Sequence, residues 1–152
     1  MQIWVDADGC PVEIKDLLYR AAVRCKIQVT LVANQILTVP VSPFVKMLLV
    51  PGGLDAADRK IVELVSDKDL VITSDIPLAA DVVAKGAKAL NPRGELYTDV
   101  NMGDRLATRN LIDEMRTAGQ AMRGPSGYSP KNKQAFANEL DRWLARKSLD
   151  KK

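Results

Sequence analysis

The chain has 152 residues, of which 47% are hydrophobic, so it can bury one core and a single domain over residues 1–152 is expected. It contains no histidine, which excludes a Ser-His-Asp triad, a Cys-His dyad and a histidine-ligated zinc site. The net charge of +3 is unevenly spread: residues 1–91 carry 10 basic and 11 acidic side chains, and residues 92–152 carry 12 and 8. So small a charge argues against tight nonspecific DNA binding.

No apolar run approaches the roughly 20 residues that a membrane span needs, and the opening IWVDADGCP does not resemble a signal peptide. A cytoplasmic protein without membrane contact is therefore expected. Its two cysteines, Cys10 and Cys25, are too few for a disulfide scaffold. The start of a helix lowers the pKa of a thiol and could make Cys10 reactive, but the favoured interpretation is that Cys10 is a small buried residue.

Strand and helix patterns alternate over the first 90 residues. Runs of β-branched and aliphatic residues predict five strands, at 3–5, 28–33, 45–50, 69–73 and 88–90. Apolar residues three and four apart predict helices after Pro11, from Ala56 and after Asp75. Two further helices are predicted beyond Gly94, on either side of a Gly-, Ser- and Pro-rich loop at 119–130, and the tail from Lys147 is expected to fray.

This alternation predicts a three-layer α/β fold, with a mostly parallel sheet of about five strands, helices on both faces and a helical C-terminal part. Five aspartates lie where predicted strands end or helices begin: Asp6, Asp8, Asp55, Asp58 and Asp75. In such sheets ligands bind at the carboxyl ends of the strands, where the strand order reverses. If the fourth strand returns to the free side of the first, these acids converge there.

Several carboxylates in one cleft repel each other unless a cation binds between them, and hard oxygen ligands favour Mg²⁺ or Mn²⁺. Each aspartate also has a purely structural interpretation, as a helix cap or a turn residue. The candidate substrate-binding residues are Asn34, Arg93, Arg109 and Arg123, for which turn chemistry or ordinary solvation is the alternative interpretation.

Two chemistries fit these aspartates. The opening VDADG matches the D-x-D-G pattern of haloacid-dehalogenase-like phosphatases, in which Asp6 would be the nucleophile and Asp8 the general acid. That family needs a later acidic pair after a strand, and residues 86–104 contain none. In the other chemistry the acids hold cations that activate water for phosphodiester hydrolysis.

Long segments resemble the bacterial YaiI/YqxD family over nearly the whole chain: WVDADGCPVEIKDLLYRAA, LVANQ, LDAADRKIVE, DLVITSDIPLAADVVAKGAKALNPRGELYT and GPSGYSPKNKQAFANELDRWL. That family is grouped with PIN-like folds because its acidic positions are similar. The resemblance implies a PIN-like domain whose metal ligands are the five aspartates, with Asp6, Asp58 and Asp75 in catalytic roles. RNA or another phosphate-bearing substrate is the implied partner, and a non-catalytic metal- or RNA-binding module is the alternative.

Overall fold

The computed structural model describes residues 1–7, 10–52, 56–98, 100–103, 107 and 129–150, with side chains up to residue 146. The elements are β1 Ile3–Asp6, α1 Val12–Cys25, β2 Val29–Ala33, β3 Val45–Leu49, α2 Ala56–Leu64, β4 Leu70–Ile72, α3 Ile76–Ala84, β5 Lys88–Leu90, β6 Leu96–Tyr97 and α4 Pro130–Asp150. Across these ranges, every helix is too short or too polar to cross a membrane.

The six strands form one sheet in the order β3-β2-β1-β4-β5-β6. The first strand is central, because Val5 lies opposite both Leu31 of β2 and Ile72 of β4. All pairings are parallel except that of β5 with β6. The α/β class is therefore confirmed, and the fourth strand does return to the free side of the first. The short antiparallel strand β6 was not predicted.

Helices cover both faces of the sheet, and the alternation of side chains along a strand directs successive residues to opposite faces. Ile3 and Val5 face one way and pack in a core with residues of α1 and α4, among them Phe136. Trp4 faces the other way and packs with residues of α2 and α3, among them Ile61 and Leu78. The sheet is thus the middle of three layers.

A buried carboxylate secures the amino ends of the two central strands. Asp69, just before β4, is 2% exposed. Its Oδ1 accepts the Gln2 backbone N–H at 3.0 Å, and its Oδ2 accepts the Trp4 indole N–H and the Ser66 backbone N–H, each at 2.9 Å. This one side chain therefore ties together β1 and the turn that leads into β4.

The turn between β5 and β6 packs tightly against α4. Asn91 closes it, since its carbonyl accepts the Gly94 N–H at 2.8 Å and its Oδ1 accepts the Arg93 N–H at 2.7 Å. Gly94 has a φ of +97°, which side-chain-bearing residues rarely adopt. A Cβ placed on Gly94 would lie 2.5 Å from the Cβ of Ala135. Only glycine allows this turn and α4 to approach so closely.

Candidate functional site at the carboxyl ends of the strands

The strand order reverses its direction between β1 and β4. The second and third strands step outward on one side of β1, and β4 and β5 step outward on the other. Asp6 is the last residue of β1, and the register places it beside Thr73, the residue that follows β4. Both lie at the carboxyl edge, where open α/β sheets bind ligands.

Thr73 links two of the predicted acids. Its side chain is 1% exposed, and its hydroxyl donates a hydrogen bond of 2.9 Å to Oδ2 of Asp6. The Oγ1 of Thr73 in turn accepts the backbone N–H of Asp75, also at 2.9 Å. A hydroxyl has a single hydrogen. Because the N–H of Asp75 binds to a lone pair of the Thr73 oxygen, the hydroxyl hydrogen remains available to point at Asp6. The Asp6 carboxylate is therefore held in a defined orientation.

Thr73 was missed as a site residue by sequence reasoning. The available signal was the Thr-Ser-Asp that closes an apolar strand, but its meaning depends on a partner 67 residues away in the chain.

Asp75 caps helix α3, as its structural interpretation predicted. Its Oδ1 accepts the Leu78 backbone N–H at 3.1 Å, and Pro77 lies in the first turn of the helix. The cap occupies one of the two carboxylate oxygens and fixes the orientation of the side chain, which is half-buried. Being a cap does not remove Asp75 from the site, because the capped helix begins at the carboxyl edge beside Thr73.

Asp58 lies in the first turn of α2 and is half-buried. The helix is anchored by Ala57 and Ile61, which pack in the same core as Trp4 and Val71. Because α2 follows β3, it begins at the carboxyl edge and brings Asp58 to that end of the sheet. The structure thus assigns Asp6, Asp58 and Asp75 to one edge.

Two predicted substrate-binding residues flank this edge on opposite sides. Asn34 is exposed and directly follows β2, and Arg93 is exposed in the turn after β5. The remaining candidates, Asp8, Asp55, Arg109 and Arg123, lie outside the described residues. Within the described ranges, no group of three or more acidic or cysteine side chains is close enough to hold a metal ion.

Cys10 is a buried thiol close to Asp6, which agrees with the favoured interpretation from the sequence. Burial raises the pKa of the Cys10 thiol to about 12; the charge of Lys15 lowers it and the charge of Asp6 raises it. The thiol therefore stays protonated at neutral pH and is a poor nucleophile.

The raised pKa of Cys10 predicts an alkaline loss of stability. The unfolded thiol ionises near pH 9 and the folded one near pH 12, so the unfolded state binds fewer protons between these values and stability falls as the pH rises. Relative to Cys10→Ala, the wild-type free energy of unfolding should drop by about 1.5 kcal/mol between pH 9 and pH 10.5. Urea denaturation at both pH values measures this difference. The difference between the wild type and Cys10→Val should change with pH in the same way. A difference in unfolding free energy that stays constant from pH 9 to pH 10.5 would contradict the prediction.

Comparison with known proteins places this chain among relatives of similar length. The family model described as "Uncharacterized BCR, YaiI/YqxD family" matches residues 4–146. A "UPF0178 protein" of Shewanella amazonensis is 58% identical over 96% of this chain and 98% of its own length. A similar protein of Maridesulfovibrio salexigens is 53% identical over 96% of this chain and 97% of its own length. Another, of Proteus mirabilis, is 52% identical over 99% of this chain and 100% of its own length. No solved structure matches the chain significantly.

Proposed function

The chain belongs to the YaiI/YqxD family, and on that premise we propose that it is a cytoplasmic, divalent-metal-dependent nuclease or phosphodiesterase acting on RNA or another nucleic acid. The observation that carries the proposal is the Asp6 carboxylate at the switch point, oriented by the Thr73 hydroxyl beside the capped Asp75. The order of the acids along the chain resembles that of PIN-like nucleases, which favours phosphodiester hydrolysis over other metal-assisted reactions.

The donor set suits Mg²⁺ or Mn²⁺, since both prefer the oxygen ligands that carboxylates supply. No three of the described acidic side chains are close enough to hold an ion on their own. In this proposal Asp6 would hold the ion with at most one of Asp58 and Asp75, and Asp8 and Asp55 would complete the ligand set. A bound ion supplies Lewis acidity and an activated water for attack on phosphorus.

The protein's own groups have separate parts in this proposal. Thr73 is a positioning residue, because it holds Oδ2 of Asp6 and so determines which carboxylate lone pairs face the edge. In the proposal, Arg93 on the β5 side and Asn34 on the β2 side would contact the phosphates of a strand lying across the edge, with Arg109 and Arg123 as further candidates.

Asparagine variants separate charge from helix capping. Asn caps a helix about as well as Asp, so Asp75→Asn keeps α3 and removes only the charge. We expect single-stranded RNA to be cleaved with Mg²⁺ or Mn²⁺ but not with EDTA. Asp6→Asn and Asp75→Asn should each slow cleavage by at least about 100-fold, the size of effect expected when a metal ligand or its support is lost. The control Asp81→Asn, on the exposed side of α3, should cleave as the wild type does.

Thr73 is tested in the same assay. Thr73→Val should reduce cleavage by about tenfold or more, and Thr73→Ser should restore it because the hydroxyl returns. Turnover of a generic phosphomonoester alone would instead support the phosphatase with Asp6 as nucleophile. Metal-dependent RNA binding without turnover would support a non-catalytic module. Either result, or RNA cleavage that persists in Asp6→Asn, would refute the proposal that the protein is a nuclease.

A further inference from the structure

A cleft of about 360 Å³ lies between helix α4 and the β5–β6 side of the sheet. We call it the α4 cleft. The sheet contributes Leu70, Lys88, Leu90 and Leu96 to its lining. A smaller hollow of about 160 Å³ shares Lys88 with it and extends it toward the turn before β4. The two together have the size of a small-ligand pocket.

The sheet wall of the α4 cleft is apolar except for one cation. Leu70 and Lys88 are register partners, and Leu90 is two residues beyond Lys88, so all three side chains share one face. Leu96, the register partner of Leu90, continues that face onto β6. Lys88 is half-buried in a row that otherwise consists of leucines. A strand that only packed against α4 would be expected to have an apolar residue there.

The helix wall of the α4 cleft combines an aromatic ring with cations. Glu139, Arg142, Trp143 and Arg146 line it, and their spacing of three and four residues puts them on one side of α4. Trp143 is 7% exposed and belongs to the core, whereas both arginines are exposed. The apolar floor of the cleft therefore has a charged rim with two arginines and one glutamate.

Lys88 of the sheet wall and Arg146 of the helix wall lie near each other, and the acidic side chains that line the cleft and its smaller hollow are Glu139, Asp67 and Asp69. Burial lowers the pKa of the Lys88 ammonium, and the charge of Arg146 lowers it further. Of the ion pairs within the described ranges, none involves Lys88 or Arg146, while Arg142 is paired with Glu139 at 2.7 Å. The adjacent Asp69 carboxylate already accepts three hydrogen bonds from the protein. An incoming anion would relieve the repulsion between Lys88 and Arg146.

We propose that the α4 cleft binds a nucleotide, with its phosphate between Lys88 and Arg146 and its ring against Leu96 and Trp143. The cations match the negative charge of the phosphate, and the apolar walls match a flat, weakly hydrated ring. Lys88 begins β5, so this site lies toward the amino ends of the strands, away from Asp6 at the carboxyl edge. It therefore does not depend on the proposed nuclease activity. The same chemistry is offered by a free mononucleotide and by one nucleotide of an RNA chain.

Equilibrium dialysis at about 50 mM salt, where charge interactions are weakly screened, tests the α4 cleft with nucleoside monophosphates, a short RNA and inorganic phosphate. The wild type should bind the nucleotides more tightly than inorganic phosphate, which lacks the ring. Lys88→Gln and Arg146→Gln should each weaken binding by about tenfold, as expected for the loss of one charged hydrogen bond. The controls Lys131→Gln and Lys133→Gln remove exposed cations from the same helix and should leave binding within about twofold of wild type.

The comparison of probes identifies the source of the nucleotide. Mononucleotide binding that depends on Lys88 and Arg146 supports a free nucleotide, and RNA binding alone with that dependence supports a nucleotide within a chain. With EDTA present, Asp6→Asn should leave the dependence of binding on Lys88 and Arg146 unchanged, which keeps this test distinct from that of the nuclease. The proposal is overturned if no probe saturates below about 5 mM, or if the control variants weaken binding as much as Lys88→Gln does.

Discussion

Replacing Asp69 by alanine is expected to lower the free energy of unfolding by about 3 to 6 kcal/mol. The reason is that three donors, the Gln2 and Ser66 backbone N–H groups and the Trp4 indole, lose their shared acceptor. A donor left without a partner in the interior costs about 1 to 3 kcal/mol. Such a loss is a large part of the total stability of a typical domain, about 5 to 15 kcal/mol. Urea denaturation followed by far-UV circular dichroism measures it.

Asp67→Ala is the matched control for Asp69→Ala. Asp67 is exposed two residues earlier, so its replacement should change stability by less than about 0.5 kcal/mol. A double-mutant cycle with Trp4→Phe isolates the indole hydrogen bond and should give a coupling energy of about 1 kcal/mol or more. Equal effects of Asp67→Ala and Asp69→Ala would show that the buried carboxylate has no special role.

Replacing Gly94 by alanine is expected to cost about 2 to 6 kcal/mol of unfolding free energy. Two effects combine: a φ of +97° strains any residue with a side chain, and the added methyl group collides with α4. Each effect alone costs about 1 to 3 kcal/mol. The collision is with the Ala135 backbone carbon at 2.6 Å as well as with its Cβ, so no rotation of a side chain relieves it. Thermal and urea denaturation both report the loss.

Gly103→Ala is the control for Gly94→Ala. A Cβ at Gly103 meets nothing within 4 Å, and this glycine lies in a helical turn. Alanine there should leave stability unchanged or raise it by about 0.4 to 1 kcal/mol, because it restricts the unfolded chain. If both alanines behaved alike, the close approach of the β5–β6 turn to α4 would be refuted.

The parts of the fold that were predictable from sequence are those governed by local patterns. The β1 to β5 runs are short and apolar, and Pro11 and Asp75 mark helix starts, so their positions follow from periodicity and capping. The strand β6 was missed because Leu96 and Tyr97 form a strand only through their pairing with β5. Two residues are too few to show an alternating pattern.

Only those parts of the candidate site that lie at the ends of strands were predictable from the sequence. Asp6 and Asp75 could be placed at one edge because the sequence of strands and helices implies the switch point. The hydrogen bonds of Thr73 to Asp6 and of Asp69 to Gln2 and Trp4 could not be foreseen, since these partners are 65 to 67 residues away along the chain. Lys88 was read as part of a strand, but whether it faces solvent or a helix depends on where α4 packs. Such long-range contacts arise from the tertiary fold and leave no periodic signal.

The central position of β1 also has a consequence for biosynthesis. The strand is made first, yet its second neighbour, β4, begins only at Leu70. Translation proceeds at about 5 to 20 residues per second, so Thr73 is synthesised several seconds after Asp6. Until then one edge of β1 remains open, and this early-made strand depends on later segments, or on a chaperone, to protect it from aggregation.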